Sequence, residues 1–345
     1  MSRFLIVRLG SLGDLVHTLP AVAAIRRAHP TATIDWLVDA VHQDFLALVP
    51  ILSSVVVLRE RTVSAWLETR KALRAREYDV ALDFQGLLKS AALARLSGAK
   101  RVIGFDRAAL REAAAAPFYN ERVDVGEGRH VIEKNLRLAA AVIGKDLGSP
   151  FDVLRKLPES FPLADVESAA LADVRQRAPG PFALLNPGAA WPNKRWPPSS
   201  FGRLAQHLRR RHGLTSVVLW GPDEAALAHE VVAASAGAAL MAPITNLADL
   251  VAIAREASLV VSGDTGPTHI AAAVGAPVVA LFGPTNPARN GLWSDEDVSI
   301  ARYDSCDCHY ERQCRRATGW CLGTVTVDEV ETAVDARLAR AVHSR

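Results

Sequence analysis

Short β-branched runs alternate with longer alanine- and arginine-rich stretches along most of this chain, and no other feature restricts its fold as much. In the first half the short runs are Phe4–Leu9, Thr33–Val38, Ser54–Leu58, Asp79–Phe84 and Arg101–Phe105. Between them, Asp14–Ala28, Ala65–Arg76 and Lys89–Leu96 have helical character; in the first, Leu15, Val16, Leu19, Val22, Ala23 and Ile25 share one face. Strand–helix–strand alternation means βαβ units, and those build parallel sheets. The pattern pauses at 145–180, where Gly148, Pro150, Pro158, Pro162, Pro179 and Pro181 surround a short helical stretch, Leu163–Gln176. It resumes with strands at Phe182–Asn186, Ser216–Trp220, Ala238–Ala242, Leu259–Ser262 and Pro277–Phe282. Helices fit Ser199–Arg211, Asp223–Gly237, Asn246–Ala257 and Thr268–Val274, with a last one at Thr326–Ala341.

A chain of 345 residues is too long for one ordinary core, so two α/β domains are expected. The reading places a first domain at 1–160, a second at 161–325, and a C-terminal helix at 326–345 that packs back toward the first. Two such sheets facing each other would leave a cleft at the carboxyl ends of their strands, where ligands bind in folds of this kind. Half the residues are hydrophobic, enough for two cores. A balance of 40 basic against 37 acidic residues argues against a nucleic-acid partner. No apolar run approaches the roughly 20 residues that span a bilayer, and Phe4–Leu9 is too short for a secretion signal. The expected compartment is the cytoplasm.

Four loops at strand ends carry residues suited to chemistry. Arg8-Leu9-Gly10-Ser11-Leu12-Gly13-Asp14 joins the first strand to the first helix. Asp14 there is either a carboxylate facing a substrate hydroxyl or a first-turn residue complementing the helix dipole, and the motif alone favours the second. The loop is not G-x-G-x-x-G, and Asp39 follows the wrong loop to be a ribose-binding acid at the end of the second strand. Asn186–Pro197 places Lys194 and Arg195 in a loop stiffened by three prolines and two tryptophans, which suits a diphosphate better than an ordinary basic surface loop. Ser262-Gly263-Asp264-Thr265-Gly266-Pro267-Thr268-His269 opens a helix, with Gly266 read as its cap and Pro267 as its first residue. Such an end is a phosphate site or a simple cap, with little to choose between them. Asp83–Ser90 could bring Gln85 and Lys89 to an acceptor, or be a turn with a solvated lysine.

Together these stretches resemble glycosyltransferase family 9, the lipopolysaccharide heptosyltransferases, and most closely heptosyltransferase I. Ile6–Ala21, Asp83–Ala91, Asn186–Pro197 and Ser262–Pro287 match in the family's order. The resemblance implies the GT-B fold, two Rossmann-like parallel-sheet domains facing a central cleft. It implies an inverting, metal-independent transfer of heptose from ADP-L-glycero-D-manno-heptose to the inner Kdo sugar of lipid A, with no cofactor. The catalytic positions would be Asp14 as general base and Lys194 on phosphate. Donor contacts would come from Gly188, Glu224 (or Asp223), Thr245, Asp264, Thr265, Gly266 and His269. Acceptor contacts would come from Ser11, Gly13, Arg59, Arg61, Gln85, Lys89, Arg111 and His130. The anionic glycolipid acceptor implies peripheral contact with the cytoplasmic face of the inner membrane.

The Asn186–Pro197 loop and the segment Cys306-x-Cys308-x5-Cys314-x6-Cys321 look more like other branches of the family, so a different donor sugar or acceptor is the alternative. The four cysteines either bind zinc, with His309 as a further candidate, or stand as reduced thiols in a loop; C-x-C is an awkward start for a tetrahedral site, and the second is preferred. A nucleotide-sugar oxidoreductase or epimerase would need G-x-G-x-x-G and Tyr-x-x-x-Lys, and the chain has neither. A non-catalytic nucleotide-sugar sensor would have no use for Asp14.

Overall fold

The structure is a computed structural model that describes residues 2–60, 62–144, 160–316 and 320–343. It divides into two compact units, Met1–Ala164 and Asp165–Arg345. Each unit holds one six-stranded, all-parallel sheet.

In the N-terminal unit the strands are β1 (Arg3–Val7), β2 (Thr33–Asp39), β3 (Ser54–Leu58), β4 (Val80–Asp83), β5 (Arg101–Phe105) and β6 (Glu121–Val123), in spatial order β3-β2-β1-β4-β5-β6. The C-terminal unit has β7 (Phe182–Asn186), β8 (Thr215–Val218), β9 (Ala239–Met241), β10 (Leu259–Gly263), β11 (Val278–Phe282) and β12 (Val298–Ala301), in order β12-β11-β10-β7-β8-β9. Counted from each unit's own first strand, the two orders are the same. The chain reverses direction across the sheet beside β1/β4 and beside β7/β10, and such switch points are where doubly wound sheets bind ligands.

The strand sequences explain the parallel arrangement. Helices cover both faces of a parallel sheet, so its central strands must be apolar on both sides. Phe4 to Val7, all of β10 and all of β11 are buried. Helices supply one apolar stripe each. In Pro198–His212, Phe201, Leu204, Ala205 and Leu208 enter the C-terminal core beside Trp196, whose ring meets Phe201 edge-on at 4.9 Å. The helix Val327–His343 brings Val330 and Val334 into the same core.

Several boundaries differ from the sequence expectation. Asp14–Ala28 is two helices, Leu12–Val16 and Leu19–Ala28. The break at His17 and Thr18 precedes Pro20, whose missing N–H and fixed φ favour the start of a helix. Asp39 is the last residue of β2, not a loop residue. The helix in the proline-rich stretch runs only over Ala169–Arg177, and Ser168 Oγ caps it while donating to Asp249 at 2.7 Å. Gly148, Pro150 and Pro158 lie outside the described residues. Strands β6 and β12 and the helix Val131–Ile143 were not anticipated.

Removing the Phe201 ring leaves a void beneath Trp196 in the C-terminal core. Phe201→Ala should cost about 3–5 kcal/mol. In differential scanning calorimetry the C-terminal unit should melt earlier while the transition of the N-terminal unit stays in place.

Candidate functional site

At the carboxyl edge of the N-terminal sheet, β1 lies between β2 and β4, with Val7 level with Leu37 and Asp83. The chain leaves β1 through Gly10 and starts the short helix Leu12–Val16, capped by Ser11. Asp14, in the first turn, completes a capping box: its Oδ2 accepts from the Ser11 N–H and Oγ, each at 3.1 Å. Its Oδ1 meets Arg8 Nη2 at 2.6 Å, and Arg8 in turn donates to the Phe84 carbonyl at the end of β4. The first-turn reading of Asp14 is therefore the one visible in its contacts. Burial raises its pKa, but Arg8, the Ser11 N–H and, at longer range, Arg111 together hold it below the ordinary carboxylate value. The side chain remains a fifth exposed, so an anionic oxygen is fixed in place and still reachable.

His42 joins this group without having been anticipated. A Cβ on Gly10 would stand 2.7 Å from its Nε2, so only glycine lets the imidazole approach the loop. Burial lowers the His42 pKa against the opposing pull of Asp39 and Asp14. Arg8 is a second residue whose part in the group the motif alone does not show. Its position at the end of a buried strand was the available signal, since a guanidinium at 3% exposure requires a partner.

The expected acceptor residues are placed unevenly. Ser11 and Gly13 belong to the Asp14 helix. Lys89 is half-buried and pairs with Asp39 at 3.4 Å. Arg59 and Arg111 are exposed, and Arg111 acts on Asp14. Arg61 lies outside the described residues. Gln85 and His130 have structural duties. Gln85 Oε1 accepts the Leu9 N–H at 2.8 Å and ties the ends of β1 and β4 together. His130 is the N-cap of Val131–Ile143, its Nδ1 accepting from the Ile132 N–H at 3.2 Å, and its ring meets His17 edge-on. Asp83 is buried, which raises its pKa, and it gathers donors from Ser90, Tyr119 and the Gln85 N–H.

The C-terminal switch point is built around Asp264, just past β10. Its Oδ2 accepts from Lys194 Nζ at 2.6 Å and from Thr285 Oγ1 at 2.6 Å. Its Oδ1 lies 3.1 Å from His269 Nε2 and 3.2 Å from Asn290 Nδ2. Burial works to raise the Asp264 pKa, yet His269 and Lys194 bring it far below the ordinary range. A buried carboxylate with this many donors organises cations rather than touching an anion itself. Lys194 Nζ also reaches the Asp264 carbonyl at 3.2 Å and sits 4.6 Å over the Trp191 ring.

Beside this pair starts the helix Gly266–Ala273, whose cap is Thr265; Gly266, expected as the cap, is the first helical residue. Asn186 Nδ2, at the end of β7, bonds Thr265 Oγ1 and Ser262 Oγ, while the Thr268 hydroxyl turns inward to Ser262. The first-turn N–H groups and a restrained lysine form an anion-binding arrangement. On the other side, the Glu224 carboxylate accepts the Gly221 N–H at 3.1 Å and lies 3.8 Å from Arg195. A Cβ on Gly188 would fall 2.0 Å from a Glu224 oxygen, so this glycine makes room for that carboxylate. Asp223 is exposed on a left-handed turn. Thr245 is half-buried in the loop before Leu247–Glu256.

Two groups could hold a metal. Cys306, Cys308, Cys314 and Cys321 pack together as free thiols. Among the described residues, only His207, His212 and Asp335 bring three ligating atoms within 4.8 Å of one another, between Pro198–His212 and Val327–His343. Neither group includes an expected catalytic residue. No helix among the described residues is long and apolar enough to cross a membrane.

Residues 66–318, which contain the Lys194 and Asp264 loops, match the model of glycosyltransferase family 9 (heptosyltransferase). The chain belongs to glycosyltransferase family 9. Among family 9 relatives, lipopolysaccharide heptosyltransferase 1 of Pseudomonas aeruginosa is 31% identical over 323 residues, 90% of this chain and 87% of that protein. Its namesake in Salmonella typhimurium is 32% identical over 314 residues, 86% of this chain and 93% of that protein. The solved structure of Escherichia coli heptosyltransferase WaaC with ADP-2-deoxy-2-fluoro heptose superposes with a TM-score of 0.74, at 26% identity over 96% of this chain and 99% of that one. Escherichia coli heptosyltransferase II shares the fold, with a TM-score of 0.74 at 22% identity over 99% of both chains. The GT-B fold and the glycosyltransferase class expected from the sequence are those of these family 9 proteins.

The depressed Asp264 pKa makes stability depend on pH in a set direction. Its contribution is present above the unfolded carboxylate pKa of about 4 and is lost as pH falls below it. Urea midpoints should put wild type above Asp264→Asn at pH 7. The gap should narrow below about pH 4 as the carboxylate takes up its proton. A gap that widens in acid would refute the assignment.

Proposed function

We propose that this chain transfers L-glycero-D-manno-heptose from ADP-heptose to the Kdo region of lipid A, with inversion at the anomeric carbon and no metal in the chemical step. The observation that carries the reading is the match over nine-tenths of the chain to a protein named lipopolysaccharide heptosyltransferase 1. The donor class draws support from the structural neighbour holding an ADP-heptose analogue.

In this reading an acceptor hydroxyl attacks the anomeric carbon from the face opposite the departing ADP. A new C–O bond forms, the bond to the diphosphate oxygen breaks, and the hydroxyl proton passes to Asp14. The Arg8 pairing keeps Asp14 ionised at neutral pH but makes it a weak base. It therefore accepts the proton late, once the attacking oxygen has become acidic by bonding to carbon. The negative charge arriving on the leaving diphosphate is met by Lys194 and the N–H groups that begin Gly266–Ala273. Lys194 is held by Asp264, so its ammonium needs little rearrangement when that charge develops. His269 acts through Asp264, and Glu224 is assigned to the ribose hydroxyls of the donor. Arg59, Arg61, Lys89 and Arg111 supply positive charge for the carboxylates and phosphates of the acceptor, and the enzyme visits the inner membrane surface without spanning it.

The test is ADP release from ADP-heptose, with and without Kdo-lipid A, in the presence of EDTA. Acceptor-dependent release is expected. No release while ADP-heptose still binds would point to a different acceptor, and absence of ADP-heptose binding to a different donor. Asp14→Ala should lower kcat by about 10²–10⁴ with ADP-heptose binding retained. Lys194→Ala should cost about 10²–10³ in kcat. Near-normal turnover by the Asp14 variant would remove it as the base.

A further inference from the structure

The segment from Arg302 to Thr324 contains one regular element, the short 3-10 turn Cys321–Thr324, among the described residues. It is rich in charge and poor in aliphatic side chains. Apart from Leu322, which enters the C-terminal core, what it buries is sulfur: Cys306 is 8%, Cys308 1% and Cys321 7% exposed, with Cys314 packed against them. Cysteines brought together as the interior of a loop with no aliphatic core of its own are characteristic of a metal-stapled segment.

We propose that Cys306, Cys308, Cys314 and Cys321 bind one thiophilic divalent ion of the zinc class, as a structural staple behind the Lys194 loop. The local backbone is already shaped for it. The C-x-C pair lies in turned chain, with the Cys306 N–H donating to the Tyr303 carbonyl and the Glu311 N–H to that of Cys308. The spacing is therefore less awkward than it looks in the sequence. Cys306 Sγ accepts the Cys308 N–H at 3.3 Å, and Cys308 Sγ accepts the Arg315 N–H at 3.1 Å. Backbone donors of this kind stabilise thiolates. Cys308 and Cys314 stand 3.8 Å apart, close to the edge of a tetrahedral thiolate site. No three of the sulfurs yet lie within 4.8 Å of one another, so closure on an ion requires rotation about the Cα–Cβ bonds. Binding releases the thiol protons. Four thiolates and a divalent ion carry two net negative charges; in the same segment Arg315 pairs with Glu311 and Arg316 with Asp307.

The position of the cluster gives the staple a consequence. Asn193 Nδ2, next to Lys194, donates to the Glu311 carbonyl at 2.9 Å. Trp320 Nε1 donates to the Arg195 carbonyl at 2.9 Å. The Tyr310 N–H donates to the carbonyl of Pro284, which adjoins the Thr285 that binds Asp264. A Cβ on Gly283 would stand 2.9 Å from Cys321 Sγ. The segment thus clamps the backbone on both sides of Lys194 and the loop behind Asp264. An ion that fixes it fixes the lysine.

The experiment uses the full chain purified without chelators or a histidine tag, and its primary readout does not depend on activity. Elemental analysis should find about one equivalent of metal per chain. Exchange with Co²⁺ should give the near-ultraviolet thiolate-to-cobalt charge-transfer band. Cys308→Ser and Cys321→Ser should lose the band, while the double variant His207→Gln, His212→Gln keeps it. Metal-free protein with no charge-transfer band on adding Co²⁺ would overturn the proposal. So would a band lost only in the histidine variant, or a Cys308–Cys314 disulfide in the isolated protein by mass spectrometry. The wild-type measurements decide the question even if the serine variants fail to fold.

Discussion

One buried carboxylate governs the C-terminal switch point. Asp264 draws Lys194, His269, Thr285 and Asn290 onto its two oxygens, and those residues come from four separate places in the chain. Taking a carboxylate out of water is costly unless its charge is paired and its lone pairs are filled. Once that condition is met, the lysine is no longer a flexible surface cation. It is a charge at a fixed point beside a helix N-terminus, and the loops bearing Thr285 and Lys194 must keep their positions for Asp264 to remain satisfied. The N-terminal unit solves a similar problem on a smaller scale, with Arg8, Ser11 and Asp14 satisfying one another within a single turn.

The architecture was legible because parallel sheets leave a strong imprint. Strands covered on both faces must be apolar throughout, so β5 and β7 could be bounded to the residue from their apolar runs. What escaped notice has a common cause. β6 is three residues of mostly exposed edge strand, Glu121–Val123, and β12 alternates half-buried with exposed residues. An edge strand has only one neighbour and needs little apolar content, so its composition does not distinguish it from a loop. Val131–Ile143 has a marked apolar face but sits between turns and the stretch at 145–180, where the alternation fades.

The site was legible at the level of loops and less so at the level of side chains. The four strand-end loops could be named, since glycines, prolines and polar residues after an apolar run mark the carboxyl edge of a sheet. Which atom of each residue is spent on the fold could not be read. Gln85 closes the gap between two strand ends, and His130 caps a helix. His42 lies in the 3-10 turn Ala40–His42 after β2, far in sequence from Gly10, and comes beside it only because β1 and β2 are neighbours. Glutamine, histidine and aspartate serve equally well as caps and as ligand contacts, and only the tertiary environment separates the two uses.

The repeated strand order has a bearing on how such enzymes diversify. Each switch point is assembled from residues of its own unit: Arg8, Ser11 and Asp14 in one, Lys194, Asp264 and His269 in the other. The contacts named for each set run within its own unit, so each can be inherited, exchanged or retuned as a module. Mutational drift that changes what one half recognises need not disturb the electrostatics of the other.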